Sequence, residues 1–211
     1  MITAGPTVEQ IDPIRAITNH SSGKTGVSLA AELISAGAKV TFVYGPGKEK
    51  PPKGAKIINV LSSKEMHLAV KLELKKKFDI VIMAAAIADY VPTIQSKNKI
   101  KSSKSNMTIS LKKAPKIIDQ IKKYQKNVLL VGFKAETNLT KNQLIKSAEK
   151  KLKESSADII IANDVGSIRY KKNPQKNQVI IVDSKKNIVS GWMDKEKIAK
   201  LIRKQIEVKI K

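Results

Sequence analysis

The chain has 211 residues, 41% of them hydrophobic and 28% charged, with 41 lysines and arginines against 18 acidic residues, a formal net charge of +23 at pH 7 and no cysteine. That length supports one well-buried core, and without a low-complexity break a single domain over residues 1–211 is expected. The missing cysteines exclude disulfides, thiolate nucleophiles and thiolate-held metals, while the lack of a membrane-length apolar run or a signal-type N-terminus leaves the cytoplasm as the expected location. A charge of this size ordinarily points to nucleic acid. The composition argues otherwise, because only Arg15, Arg169 and Arg203 are arginine and aromatics make up 4%, whereas base readout and stacking favour Arg and aromatic rings. The lysines, spread along the whole chain, are read as a solvated surface with a smaller part that steers anionic substrates.

Met1-Ile2-Thr3-Ala4 reads as the end of a first strand, and so few residues precede the turn Gly5-Pro6-Thr7 that the strand reads as clipped from a longer chain. Asn19-His20-Ser21-Ser22-Gly23-Lys24-Thr25-Gly26 then reads as a loop that opens a helix. Its small residues let a ligand approach the backbone, Ser and Asn can cap, and a helix N-terminus attracts an anion. Two phosphate-binding patterns each fail here by one glycine: a P-loop requires it at Thr18, and the dinucleotide fingerprint at Ser21. Val27, Ala30, Ala31 and Ile34 give residues 22–36 helical spacing, stopped by Gly37. Strands follow at residues 39–44 and 57–60, and Ser62 with Glu65 fits a capping box for a helix that runs to Lys75-Lys76-Lys77.

Residues 79–86 form an unbroken apolar run, as in a parallel strand buried on both faces, and lead into Ala88-Asp89-Tyr90. Residues 91–106 read as a polar loop whose Lys97, Lys99, Lys101 and Lys104 are, on composition alone, a solvated charge run. Next come a short strand near 107–111, a helix opened by Pro115, a strand at 128–131 and a helix from Thr140, where Gln143 completes a capping box. In that helix Leu144, Ile145, Ala148 and Leu152 form a core-facing stripe, and a second buried strand at 158–162 ends in Asn163-Asp164. Residues 178–182 and 188–192 flank a turn-rich Asp183-Ser184-Lys185-Lys186-Asn187, a hairpin signal, before a last amphipathic helix over about 194–208. The alternation predicts an α/β fold: a Rossmann-like, doubly wound, mostly parallel sheet with a C-terminal antiparallel hairpin extension. Ligands of such sheets bind beyond the carboxyl ends of the strands, so the loop at Asn19 is expected to share a cleft with Asp89 and Phe133.

His20 beside two serines is not read as a hydrolase site, because triad members converge from separated segments. With only His20 and His67 in the chain, no histidine metal site is expected. Asp89 reads equally as a turn cap or a ligand contact. Trp192 reads as an anchor for the tail or a subunit interface.

Seven stretches, taken in order, carry a resemblance: Ile2-Thr3-Ala4-Gly5-Pro6-Thr7, Asp12-Pro13-Ile14-Arg15, residues 19–24, residues 84–90, Lys99-Ile100-Lys101, Gly132-Phe133-Lys134-Ala135-Glu136-Thr137 and Ala162-Asn163-Asp164-Val165. Together they resemble phosphopantothenoylcysteine synthetase, the phosphopantothenate–cysteine ligase of coenzyme A biosynthesis, and the ordered set is far more specific than any one of its pieces. The resemblance implies a CTP-dependent acid–amine ligase that joins 4′-phosphopantothenate to L-cysteine through an acyl-cytidylate, with Mg²⁺ carried by the nucleotide and no protein metal site assigned. It also implies a homodimer, to which the hairpin near Asp183 contributes, and covalent or physical association with a flavin-dependent decarboxylase. By the same resemblance Asn19 orients the acyl-cytidylate, within a loop of His20, Ser21, Ser22, Gly23 and Lys24. Lys99, on a mobile flap, neutralises phosphates. Ala85 and Asp89 line the nucleotide pocket, Pro115, Lys116, Ile117, Ile118 and Phe133 surround the cytidine, and Lys151 holds phosphate. Ser155 departs from the pattern, which has a second lysine there, and its loss is expected to weaken nucleotide binding unless Lys150 or Lys153 compensates. Two other readings compete. A dinucleotide-binding oxidoreductase is disfavoured by the incomplete glycine fingerprint and by Tyr44-Gly45-Pro46 where an acidic ribose ligand belongs; a basic nucleic-acid-binding protein is disfavoured by the scarcity of Arg and aromatics.

Overall fold

The computed structural model describes residues 1–102 and 105–210; Lys104 of the predicted basic loop lies outside them. In chain order, β1 (Ile2–Ala4) precedes the hairpin of β2 (Val8–Gln10) and β3 (Ala16–Thr18), then α1 (Lys24–Ser35), β4 (Thr41–Tyr44), β5 (Lys56–Asn59), α2 (Ser63–Glu73) and β6 (Ile80–Met83). There follow β7 (Tyr90–Pro92), β8 (Leu111–Lys113), α3 (Ile118–Tyr124), β9 (Leu129–Glu136), α4 (Lys141–Ser155) and β10 (Ile159–Asp164). The last stretch holds α5 (Ile168–Lys172), β11 (Lys176–Asn177), β12 (Ile180–Val182), β13 (Asn187–Val189), β14 (Met193–Asp194) and α6 (Lys195–Ile210).

Eight strands form one sheet in the order β13-β12-β10-β9-β6-β1-β4-β5. Every pairing from β5 to β10 is parallel, whereas β12 runs antiparallel to β10 and β13 antiparallel to β12. This is the predicted doubly wound sheet with its hairpin extension. Side chains alternate between two apolar cores. In β10, Ile160 and Ala162 point to the face covered by α2, α3 and α4, while Ile159 and Ile161 point to the face covered by α1 and α6. Strands buried on both faces need apolar residues at every position, which is why residues 79–86 and 158–162 were legible as unbroken runs.

Local chemistry sets the element ends. The Thr140–Gln143 capping box forms in both directions, and Ser62 accepts from the Glu65 amide at 3.2 Å as the N-cap of α2. In the second case the Glu65 carboxylate reaches the Leu61 amide, at 2.8 Å, instead of the cap's own. The C-terminal turn of α1 closes at Gly37, whose φ of 87° is a left-handed conformation that favours glycine. Two glycines permit close approach: a Cβ at Gly26 would overlap the Ala4 side chain, and one at Gly45 would overlap the Pro6 carbonyl.

Several boundaries differ from expectation. The strand predicted near 107–111 lies at Leu111–Lys113 and pairs antiparallel with β7, so part of the predicted polar loop is a two-stranded ribbon. Its residues are mostly exposed and carry no apolar alternation. The helix after Pro115 begins three residues later, at Ile118, and β9 continues through Gly132 and Phe133 to Glu136. Among the described residues no helix is long and apolar enough to cross a membrane.

Candidate active site

A cleft of about 1110 Å³ opens at the carboxyl ends of β6, β9 and β10. All eight residues of the 19–26 loop line it, together with residues 83–89, residues 115–118, residues 133–136, Lys150 and Lys151. Thus the Asn19 loop shares a cleft with Asp89 and Phe133, and Ala85, Pro115, Lys116, Ile117, Ile118 and Lys151 line the same cleft.

The walls are fixed by the backbone. The segment after β6 is stitched to the turn after β1, with the Ala86 amide donating to the Gly5 carbonyl at 2.9 Å and the Ala88 amide to the buried Thr7 hydroxyl at 3.0 Å. Asn19 ties the 19–26 loop to the segment after β6: its Nδ2 donates to the Ala86 carbonyl at 3.1 Å. The start of α1 is arranged differently from a side-chain-capped helix. Gly23 occupies the N-cap position with φ of 84° and makes no side-chain cap bond, while the Ser22 hydroxyl accepts from the Lys24 amide at 3.2 Å. A Cβ on Gly23 would collide with Tyr44, whose hydroxyl donates to the Glu49 carbonyl at 2.7 Å, so the glycine lets the loop lie against this tyrosine.

Most charged groups of the cleft are held in ion pairs, two of them between elements. Lys116 meets Asp89, whose side chain is therefore an ion-pair partner and not a turn cap. Lys151 reaches Asp119, in the first turn of α3, at 2.8 Å. Glu136 accepts from the Ser147 hydroxyl at 2.6 Å and from Lys134 at 3.1 Å; the Ser147 bond, aided by Lys134 and opposed by partial burial, holds its carboxyl below the usual range. Glu136, Ser147, Tyr170 and Lys195 line the cleft without having been assigned a role from sequence. Ser147 lies beside the apolar stripe of α4 and Lys195 begins a helix after a hairpin, so no local pattern marked either.

Lys99 is exposed and lies outside the cleft's lining. The segment that carries it is tethered elsewhere: the Ile100 amide donates to Asp12 at 3.1 Å, Arg15 donates to the Ile100 carbonyl at 3.1 Å, and the Ser96 amide donates to the Ile11 carbonyl at 2.9 Å. Ser155 is 2% exposed, outside the lining, and donates to the Lys151 carbonyl at 2.7 Å. Lys150 and Lys151 are the lysines α4 presents to the cleft. His20 is exposed in the loop, and His67 meets the Tyr124 hydroxyl at 3.3 Å on the far surface of α2 and α3. Trp192 stacks against Arg169, 4.6 Å from ring centre to guanidinium, anchoring the tail beside α5. Among the described residues no group of three or more His, Cys, Asp or Glu could hold a metal ion, and the cleft carboxylates Asp89, Glu136 and Glu154 each face a lysine.

Comparison with known proteins gives the same picture. The coenzyme A biosynthesis bifunctional protein CoaBC of Borreliella burgdorferi is 41% identical over 206 residues, covering 97% of this chain and 51% of that protein. The chain spans about half the length of the curated relatives it matches. The crystal structure of the C-terminal domain of a CoaBC protein superposes with a TM-score of 0.82 at 34% identity, covering 99% of this chain and 93% of that one. The DNA/pantothenate metabolism flavoprotein of Streptococcus pneumoniae superposes with a TM-score of 0.87 at 28% identity, covering 98% and 97%. Residues 1–209 match the DNA/pantothenate metabolism flavoprotein C-terminal domain, and the chain belongs to that family, the phosphopantothenoylcysteine synthetase domain its motifs resemble.

Proposed function

We propose that the chain is a ligase of coenzyme A biosynthesis that joins 4′-phosphopantothenate to L-cysteine at the expense of CTP. The observation that carries this reading is the cleft that the 19–26 loop lines together with the Asp89–Lys116 pair and with Lys151, whose ammonium is held by Asp119. An acid–amine ligase needs an acyl-handling edge beside a nucleotide edge, and lysines held in place by carboxylates suit phosphate recognition without a protein nucleophile.

In the first half-reaction a carboxylate oxygen of phosphopantothenate attacks the α-phosphorus of CTP, and pyrophosphate leaves. In the second the cysteine amine attacks the acyl carbon, the C–O bond to CMP breaks, and the nitrogen loses a proton. Asn19 would orient the acyl-cytidylate, since its amide is already fixed against the Ala86 carbonyl. Lys116 and Lys151 would meet the nucleotide by exchanging their carboxylate partners for phosphate, with residues 115–118 and Phe133 around the base. Lys99 would reach the phosphates from the segment tethered to Asp12. Mg²⁺ accompanying the triphosphate would neutralise its charge and polarise the α-phosphate. A homodimer, and association with a flavin-dependent decarboxylase of the kind fused in the longer bifunctional relatives, complete the proposal.

Purified protein given CTP, Mg²⁺, phosphopantothenate and cysteine is expected to release pyrophosphate only when both CTP and phosphopantothenate are present. No release, or equal release with other triphosphates, overturns the ligase or its CTP preference respectively. Lys99→Gln is expected to slow the pyrophosphate step.

A further inference from the structure

A second cavity, of about 410 Å³, lies on the α4 face of the sheet beside the C-terminal hairpin, and its size is that of a small-molecule site. Strand alternation keeps it apart from the cleft: Asn163 and Val179 line the cleft, whereas their neighbours Asp164 and Ile180 line this cavity. Helix α5 is divided in the same way, with Tyr170 at the cleft and Arg169 at the cavity. Leu139, Leu144, Ile180, Val189 and Trp192 give the cavity an apolar wall.

Three polar groups of this cavity have no partner among the described residues. The Arg169 guanidinium stacks on Trp192, 4.6 Å from the ring centre, and makes no hydrogen bond or ion pair there. Stacking holds its plane and leaves its edge N–H groups for a planar acceptor. Lys141, the first residue of α4, has no carboxylate within ion-pair distance. Asn177 is 7% exposed; its Oδ1 accepts from the Gln178 amide at 2.9 Å, while its Nδ2 donates to nothing. No sealed side-chain donor among the described residues lacks a partner, so that nitrogen opens onto the spaces Asn177 borders, this cavity and the cleft.

The charge balance selects the ligand. Asp164 is the one carboxylate of the lining, and its Oδ1 already accepts from the Asn138 and Gly166 amides at 3.0 and 2.8 Å. Two cations against one carboxylate leave a single positive charge, which complements a monoanion and not a polyphosphate. We infer that this cavity is a second ligand site, separate from the cleft, for a monocarboxylate with a compact apolar body. The carboxylate meets the Arg169 edge and Lys141, and the body lies on Trp192 and the wall of Leu144 and Ile180.

Trp192 is the chain's only tryptophan, so its emission reports this site directly. The test titrates 4-phenylbutyrate, and its uncharged analogue 4-phenylbutyramide, into the purified chain while tryptophan is excited at its red edge, where a phenyl ring does not absorb. Phenylbutyrate is expected to change Trp192 emission saturably. The amide on wild type, and phenylbutyrate on Arg169→Gln, are each expected to bind about tenfold more weakly, as for loss of a charge-assisted hydrogen bond. Saturating CTP should leave the phenylbutyrate affinity unchanged. No saturable change in wild type, equal affinity for acid and amide, wild-type affinity in Arg169→Gln, or competitive displacement by CTP each overturns the inference. Should Arg169→Gln lower the urea midpoint, Lys141→Gln on the other wall takes its place, and wild-type affinity there overturns the inference equally.

Discussion

In the proposed ligase, Asn19 would act on one of the two half-reactions and not the other. Its Nδ2 is committed to the Ala86 carbonyl at 3.1 Å, which fixes the plane of the amide and leaves Oδ1 for a ligand donor. Aspartate keeps that oxygen, loses the donor, and sets a negative charge against the Ala86 carbonyl. Asn19→Asp is therefore expected to slow the cysteine-dependent step about 10²-fold, the usual loss for one preorganised polar group, while CTP-dependent pyrophosphate release continues at least to one turnover. A burst assay separates the two. If both steps fall equally, the residue acts on binding and not on the activated intermediate.

At the scale of elements, the contact between α1 and β1 sets the position of the loop. A Cβ at Gly26 would overlap the Ala4 side chain, so Gly26→Ala must push the first turn of α1 off the sheet. We expect a loss of about 1–3 kcal/mol, typical of overpacking, read as a lower urea midpoint; an unchanged midpoint would count against the close approach. The segment bearing Lys99 depends on a different anchor, Asp12, whose side chain is 0% exposed. Burial pushes its carboxyl up, but the amides of Ile14, Ile100 and Arg15 and the Arg15 guanidinium outweigh this and hold it below the usual range. A depressed carboxyl stabilises the fold above its unfolded value, roughly 3.9, and that contribution fades as pH falls through the lower folded value. Hydrogen exchange at the Ile100 amide should thus be insensitive to this group near neutrality and become faster than intrinsic rates predict only in acid; Asp12→Asn should bring the faster exchange to pH 7. These elements also show what the sequence could disclose. The doubly buried strands, the Thr140 capping box and the 183–187 hairpin turn are local signals, and each was readable. The β7–β8 ribbon was not, because its exposed Lys112 and Lys113 carry no periodicity. The Lys151–Asp119 and Glu136–Ser147 contacts and the place of Lys195 depend on chain crossings that only the folded sheet makes.

For the molecule as a whole, the open matter is what a net charge of +23 does. The cleft is lined by Lys24, Lys116, Lys134, Lys150, Lys151 and Lys195 against Asp89, Glu136 and Glu154, so it shares the sign of the surrounding surface. Field from many dispersed lysines adds at long range and draws anions toward such a cleft, whereas the ion pairs inside it act only over a few ångströms. Salt separates the two contributions, because the Debye length shrinks from about 14 Å near 0.05 M to about 7 Å near 0.2 M and screens the dispersed charges first. Raising the ionic strength over that range is therefore expected to lower kcat/KM for CTP severalfold while kcat changes little. Removing exposed lysines remote from the cleft, for example Lys64 and Lys71 on α2, should flatten this dependence without altering kcat. A salt response confined to kcat would instead place the charge effect in the chemical step. Tight binding of random duplex DNA near physiological salt would show that the field serves a polyanion and not the small substrates of the cleft.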